Sequence, residues 1–317
     1  MKRKRESDYL WQHYFNRMRV STFIEKYFWL FLLAGIGLGL WNPVPFLAPS
    51  YVNKIILGMM LFFVFLKIDP LEVLEHIRNY RLMVYLASVY MFIIPLVFYL
   101  ALKYVDTDLA IGVLLLTSMP AGLSSPALAD IASGNSSLSM SLVIITQIIA
   151  PFTVPFVFWV INIHGMDINE LLLLKDIALL VFVPMIISQA VKKTFPVAVS
   201  RTKHLFTSAN VLVMAIFVFV VIASQRNVIL ENLGGLVWKI MVLYLVFILL
   251  HVIGFFIPRG ETKRNRISIS VSFAYMNNGM AIVLAASYFR PEILVLTVLS
   301  ELPWNTLLAP FKKIMVY

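Results

Sequence analysis

Residues 120–126 read PAGLSSP and interrupt an otherwise apolar segment that runs from 110 to 132. A second interruption, YMNNG at residues 275–279, lies inside the apolar segment 267–289. Proline lacks an N–H group, and glycine and asparagine tolerate backbone conformations that a helix does not use. We therefore predict that both apolar segments are discontinuous helices, each broken along its length.

The composition indicates that these segments lie in a membrane. Of the 317 residues, 61% are hydrophobic and 13% are charged, and the mean hydropathy is +0.88; soluble domains carry about 25% charged residues. Lipid must therefore cover much of the chain. The absence of cysteine excludes disulfides and thiolate metal sites. Because the sequence also has no HExxH or aspartate-rich phosphate motif, we expect no enzymatic activity and no resident metal or cofactor.

Apolar segments recur along the whole chain, and a helix needs roughly 20 such residues to cross a bilayer core. We predict ten spans, near residues 27–41, 52–67, 82–103, 110–132, 136–162, 175–191, 207–225, 236–257, 267–289 and 292–311. If both termini are cytoplasmic, most of the 26 lysines and arginines fall on the inner side of the plasma membrane. The net charge of +10 then reflects topology and not binding to nucleic acid. Residues 1–26 would form a basic cytoplasmic segment, with an amphipathic helix in the membrane interface as the alternative.

The ten spans divide into two halves of five, at about 27–162 and 175–311, within one transmembrane domain of residues 27–317. Because five is an odd number, the second half must begin on the opposite side of the membrane and run inverted. Each half carries its interruption in its fourth span. Paired interruptions in corresponding spans of inverted halves indicate the substrate site of a transporter.

The first interruption has the residues of a helix end followed by a helix start. The first half-helix should end just before Pro120, which clashes with the preceding turn. Ser124 or Ser125 can cap a second half-helix at about 126–132, since Pro126 suits the first helical position. Its N–H groups and positive dipole end would favour an anionic group. The alternative is a proline kink whose freed backbone groups are satisfied by neighbouring hydroxyls.

The second interruption offers two side-chain amides. Asn277 and Asn278 can each donate and accept hydrogen bonds, as a cavity for a polar solute requires. The alternative is a pair of amides that only ties helices together. The substrate site predicted from both interruptions consists of Ser124, Ser125, Asn277 and Asn278.

Two carboxylates fall within or next to predicted spans. Glu301 lies near the middle of the last span, where an unpaired charge costs at least ~2.5–3.5 kcal/mol. It should therefore be protonated, paired or in contact with water, and proton coupling is one hypothesis; a shallower position toward the outer face is the alternative. Asp130 should lie near the inner end of the second half-helix, within reach of water, and is a second candidate for ion coupling.

Around both interruptions the sequence resembles the bile acid:sodium symporter family, whose arsenite-exporting relatives share the scaffold. Residues 120–151, PAGLSSPALADIASGNSSLSMSLVIITQIIAP, resemble its fourth and fifth spans, and residues 272–289, SFAYMNNGMAIVLAASYF, its ninth. The resemblance implies a panel domain of spans 1, 2, 6 and 7 and a core domain of spans 3, 4, 5, 8, 9 and 10. Discontinuous helices 4 and 9 of an all-α polytopic fold would then cross at their breaks. It also implies alternating access for a small, organic, anionic solute.

The resemblance also bears on the coupling ion. Ser125 and Ser139 match positions of the family's sodium sites, whereas Ser272 stands where the family has a glutamate. Pro126, Val143, Met276 and Tyr90 stand at other family ligand positions; proline, valine and methionine supply no side-chain oxygen for a hard cation. We therefore expect that the coupling ion is Na⁺ or H⁺, and we do not assign it to the positions of Pro126, Val143 and Met276. A sodium-independent facilitator or channel is the alternative. The candidate ion-coupling residues are Ser125, Ser139, Ser272, Asp130 and Glu301.

Overall fold

The computed structural model describes residues 20–21, 23–24, 27–41, 50–67, 80–161, 169–231 and 233–316. These residues form helices and short connections, with no β-strand among them and one isolated antiparallel bridge. The predicted cytoplasmic segment 1–26 lies almost entirely outside the described residues.

The helices follow one another in the order of the predicted spans. They are α1 (Phe28–Trp41), α2 (Ser50–Phe65), α3 (Tyr80–Ser88), a π-helical turn (Val89–Ile93), α4 (Ile94–Leu102), α5 (Thr107–Ser118), α6 (Ser125–Ile131), α7 (Ser136–Ile161), α8 (Glu170–Thr194), α9 (Pro196–Thr202), a 3₁₀ turn (Lys203–Leu205), α10 (Phe206–Glu231), α11 (Leu233–Phe256), α12 (Lys263–Ala274), α13 (Asn278–Tyr288), α14 (Pro291–Leu299), α15 (Glu301–Thr306) and α16 (Leu308–Val316).

Helix length and composition confirm an all-helical membrane protein. Among the described residues, six helical stretches are long and apolar enough to cross a membrane: α3 to α4, α7, α8, α9 to α10, α11, and α14 to α16. Shorter apolar helices lie in α1, α2, α5 and α13. Each predicted span overlaps one of these stretches, and the segments predicted as the fourth and ninth spans each contain two shorter helices, α5 with α6 and α12 with α13.

The chain divides into two compact units. One comprises residues 1–68 and 182–224, and the other comprises residues 69–181 and 225–317. The first therefore holds spans 1, 2 and 7 with the second part of span 6. The second holds spans 3, 4, 5, 8, 9 and 10 with the first part of span 6, so the boundary between the two units passes through a span that the resemblance assigns wholly to the panel domain.

Within the first unit, α1 approaches α10 closely through two glycines spaced four residues apart. A Cβ atom at Gly35 would lie 2.7 Å from the Ala215 carbonyl oxygen, and one at Gly39 would lie 2.7 Å from the Ile222 side chain. Small residues at this spacing let membrane helices pack backbone to backbone, since lipid offers no hydrophobic driving force for their association.

Within the second unit, α11 and α12 pack in the same way. A Cβ atom at Gly254 would lie 2.7 Å from the Cα atom of Ser270, and the Ser270 hydroxyl donates to the His251 carbonyl at 2.7 Å. This contact fixes α12 against α11, and it therefore positions the second break, which begins where α12 ends at Ala274.

The two breaks lie side by side in the second unit and pair through their backbones. The Gly122 N–H donates to the Tyr275 carbonyl at 2.7 Å, and the Asn277 N–H donates to the Pro120 carbonyl at 2.8 Å. These bonds flank the isolated antiparallel bridge between Ala121 and Met276. Each break therefore supplies the hydrogen-bond partners that the other loses by leaving its helix.

The first break follows the predicted chemistry except at its cap. α5 ends just before Pro120, and Pro126 lies in the first turn of α6, as expected. Ser124 holds the N-cap position, but its side chain makes no capping hydrogen bond. The Ser125 hydroxyl donates to the Tyr275 carbonyl at 2.9 Å instead. The predicted position of the N-cap is therefore confirmed at Ser124, whereas a capping hydrogen bond from its side chain is not made.

A side chain at Gly122 should disrupt the pairing of the breaks. A Cβ atom there would lie 2.6 Å from the Tyr275 carbonyl oxygen and 2.9 Å from that of Met276. We expect Gly122→Ala to lower stability by at least about 1–3 kcal/mol, because two paired backbones would have to separate. The measurement is the Tm of the purified protein in detergent. Gly235→Ala is the control, since nothing lies within 4 Å of a Cβ atom there; a wild-type Tm in both variants would contradict the close approach.

Candidate functional site

Asn277 presents a hydrogen-bond donor next to the paired breaks. It is the N-cap of α13, where its Oδ1 accepts from the Met280 N–H at 3.1 Å. A backbone N–H can only donate, so this bond fixes which amide atom is the oxygen. Its Nδ2 is buried and has no hydrogen-bond partner among the described residues. The free atom of Asn277 is therefore a donor.

Asn278 presents the opposite polarity. Its Nδ2 donates to the Ser300 hydroxyl at 3.0 Å, and that hydroxyl uses its single proton on the Thr297 carbonyl at 2.6 Å. Since Ser300 can then only accept, the donating atom of Asn278 must be its nitrogen. The Oδ1 of Asn278 is buried and lacks a partner within the described part of the chain. The two adjacent asparagines thus offer one free donor and one free acceptor.

The last span bends where Asn278 meets it, and a proline causes the bend. Pro303 has no N–H for the carbonyl four residues earlier, so α14 ends at Leu299 and α15 begins at Glu301. Glu301 is only 3% exposed. Its Oε2 accepts from the Asn305 Nδ2 at 3.0 Å, whereas its Oε1 has no partner among the residues that the structure covers. The carboxylate is therefore inside the protein, one helical turn from an amide that holds it.

The serines that the resemblance places at sodium positions hydrogen-bond to other groups of the protein. The Ser139 and Ser272 hydroxyls lie 2.8 Å apart and hydrogen-bond to each other, which ties α7 to α12. Ser125 uses its proton on the second break. Asp130, by contrast, is exposed on the last turn of α6. The structure thus joins Ser125, Ser139 and Ser272 to the broken helices, whereas the Asp130 side chain makes no hydrogen bond to the described residues of these helices.

Gln147 is a buried polar residue that sequence reasoning missed. Both atoms of its side-chain amide are buried without a partner in the described ranges. Its backbone carbonyl also has no donor four residues later, because Pro151 has no N–H. The preceding residue, Thr146, accepts a hydrogen bond from the Ala121 N–H at 3.1 Å, which places this turn of α7 at the first break. The available signal was a glutamine in an apolar span, four residues before a proline.

Tyr90 is a second buried group without a partner. It lies in the π-helical turn of the third span, and such turns occur frequently at functional sites. Its ring stacks on Phe273 of α12, with centroids 4.8 Å apart. Its hydroxyl is buried and makes no hydrogen bond to any described residue. The described residues contain no group of three His, Cys, Asp or Glu side chains that could hold a metal ion.

Comparison with known proteins gives two findings. The model of a family described as the SBF-like CPA transporter family matches residues 26–300. A Bacillus subtilis (strain 168) protein, whose name reads "Uncharacterized sodium-dependent transporter YocS", is 24% identical over 278 residues, which is 86% of this chain and 85% of that protein.

Replacing Gln147 by leucine should make the protein more stable. A buried polar group without a partner costs about 1–3 kcal/mol, and leucine removes that cost with a similar volume. We therefore expect a higher Tm for Gln147→Leu in purified protein. Gln189→Leu is the matched control, because the Gln189 Nε2 donates to the Phe65 carbonyl at 3.0 Å and its loss should not stabilise. A lower Tm in Gln147→Leu would mean that the amide is needed for the fold.

Proposed function

The chain belongs to the SBF-like CPA transporter family, and from this premise we propose that it is a secondary active transporter of a small organic anion. It works by alternating access, in a multi-pass arrangement in the plasma membrane with both termini cytoplasmic. The architecture we propose is two inverted repeats of five spans, at about 27–162 and 175–311, in one transmembrane domain. Helical breaks in the fourth and ninth spans support it, because these are equivalent positions in the two halves.

The solute site we propose lies at the paired breaks and uses Ser124, Ser125, Asn277 and Asn278. The observation that carries this proposal is the buried Nδ2 of Asn277, which has no partner among the described residues. An amide donor that is withdrawn from water and unpaired is favourable once a solute oxygen accepts from it, and a carboxylate oxygen is the strongest such acceptor. Ser124 is only half-buried, so it leaves a side from which a solute can approach.

Alternating access requires parts of the chain that move as bodies. The division into two compact units, each with its own internal contacts, supports such a mechanism. Each unit also contains a close backbone approach at a glycine. A Cβ atom at Gly35 in the first unit, or at Gly122 in the second, would lie less than 3 Å from a backbone carbonyl oxygen. Close packing of this kind resists internal deformation, so motion between bodies is easier than motion within them.

The coupling ion is Na⁺ or H⁺ in this proposal, with Ser125, Ser139, Ser272, Asp130 and Glu301 as candidate residues. The name of the Bacillus subtilis relative says that it is sodium-dependent, which supports Na⁺ here. A sodium-independent facilitator or channel is the second candidate. It is favoured by Val143 and Met276, which supply no side-chain oxygen, and by the mutual hydrogen bond of Ser139 and Ser272.

The solute site is tested by Ser125→Ala combined with Asn277→Ser. Serine keeps the cap of α13 but removes the free amide donor. The lost hydrogen bond from Asn277 to a charged solute, worth about 1.5–3 kcal/mol, should slow uptake by about tenfold or more. The measurement is initial uptake of radiolabelled cholate, pyruvate and biotin into proteoliposomes. Ser287→Ala is the control, since its hydroxyl contacts only the Val283 carbonyl of its own helix. Uptake at the wild-type rate in the double variant would exclude this site.

Coupling is tested with the wild-type protein. Proteoliposomes carry an inward Na⁺ gradient, an inward H⁺ gradient or neither, with the same solutes. We expect accumulation above the external concentration with one of the two gradients, because a coupled carrier does work on its solute. Equal final concentrations under all three conditions would contradict active transport and support a facilitator or channel.

A further inference from the structure

We propose that Glu301, Asn278 and Asn305 form a binding site for one monovalent metal cation at the bend of the last span. The inference rests on the proposed function only for the role of the bound ion, which would be the coupling ion. It does not use the serines at the family's sodium positions. The family match ends at residue 300, so two of the three proposed ligands lie beyond it.

Three oxygen atoms define the site. They are the Oε1 of Glu301, the Oδ1 of Asn278 and the Oδ1 of Asn305, and each is buried without a hydrogen-bond partner in the described part of the chain. The three side chains are neighbours: Asn305 donates to the Glu301 carboxylate, and Asn278 donates to Ser300, which directly precedes Glu301 in the chain. The free oxygens thus belong to one contiguous polar cluster.

The identity of these atoms as oxygens follows from their bonded partners. The Asn305 Nδ2 lies 2.7 Å from the Glu301 backbone carbonyl, which can only accept, so this amide atom must be the nitrogen. The Asn278 nitrogen is fixed in the same way by Ser300, whose proton is used on the Thr297 carbonyl. Both amides therefore use their nitrogens on protein acceptors, which leaves their oxygens without partners among the described residues.

A cluster with only acceptors left over calls for a positive partner. The side chain that hydrogen-bonds to the Glu301 carboxylate within the described residues is the Asn305 amide, which carries no charge. A buried carboxylate is normally paired with a cation or bound to a metal. Carboxylate and amide oxygens are hard ligands. Because only the carboxylate is charged, the three ligands carry one negative charge, which matches a monovalent cation.

The site is linked to the solute site through two short paths. Asn278, a ligand here, follows Asn277 directly in the chain, and the two point a free acceptor and a free donor to their surroundings. Trp304, between Glu301 and Asn305, donates from its Nε1 to the Met276 carbonyl at 3.3 Å, and its ring packs on Tyr275. A cation at Glu301 would therefore hold α15 against the second break, which gives the ion a route to influence the solute site.

The test is cation-dependent stability of the purified full-length protein. Tm is measured at one pH and one ionic strength in sodium, potassium or N-methyl-D-glucamine chloride. For the wild type we expect a saturable rise with sodium or potassium over N-methyl-D-glucamine, of about 2–4 °C at tenfold the dissociation constant. Glu301→Gln removes the charge while keeping an acceptor for Asn305, and it should abolish that rise. Asn305→Leu should weaken it.

Two controls separate this site from other carboxylates and from other hydroxyls. Glu292→Gln changes an exposed carboxylate in the first turn of α14, the same span, and should keep the wild-type response. Ser287→Ala should also keep it, because this hydroxyl contacts only the Val283 carbonyl of its own helix. A response lost in Ser139→Ala and kept in Glu301→Gln would overturn the proposal, as would a wild type that responds equally to all three cations. If Glu301→Gln does not purify, saturable binding of ²²Na⁺ or ⁸⁶Rb⁺ to wild type but not to Asn305→Leu supports the site, and equal binding overturns it.

Because the readout is binding, its failure and that of the transporter proposal are distinguishable. Solute uptake without any cation response in Tm would overturn this site and leave the transporter proposal intact. A cation response that depends on Glu301, in a protein that takes up none of the organic anions, would support the site and count against the proposed solute class.

Discussion

The pairing of two interrupted backbones is the constraint on which the second unit depends. Inside a membrane a lost helical hydrogen bond must be replaced by protein groups or by water in a cavity, so a helix that stops within its span needs other partners. Gly122 and Asn277 donate across to Tyr275 and Pro120, and the Ser125 hydroxyl adds a further bond to Tyr275. The breaks satisfy each other, and the absence of a side chain at Gly122 lets them approach closely enough to do so.

That mutual pairing changes what remains for a ligand. The backbone groups of the breaks are mostly consumed, and the free polar atoms belong to side chains around them. With respect to the described residues, Asn277 keeps a free donor, whereas Asn278, Glu301 and Asn305 keep free acceptors, and Gln147 keeps both. Separate donor and acceptor positions on adjacent residues fit a carrier that handles an anion and a cation together, because each ligand then has its own complement of partners.

The sequence predicted the places of the breaks, because Pro120, Pro126 and the two asparagines determine backbone conformation locally. Burial and partners depend on how helices are rotated against one another, which no local pattern contains. The hydrogen bond of Ser139 to Ser272 and the unpartnered amide of Gln147 are therefore visible only in the structure. For Glu301, the sequence indicated a functional group, because a carboxylate stands in an apolar span. Its two amide neighbours could not be predicted, because Asn305 approaches it at the proline bend and Asn278 lies on another helix.

The distance along the chain between the two breaks has a consequence for biosynthesis. Ser125 and Tyr275 are 150 residues apart, and a ribosome adds about 5–20 residues per second, so the first break waits roughly 8–30 s for its partner. During that interval the peptide groups near Pro120 have no native partner and must stay in contact with water or with the insertion machinery. A polypeptide that stops before residue 275 would retain these uncovered groups in the bilayer, where the cell's quality control could recognise it as incomplete.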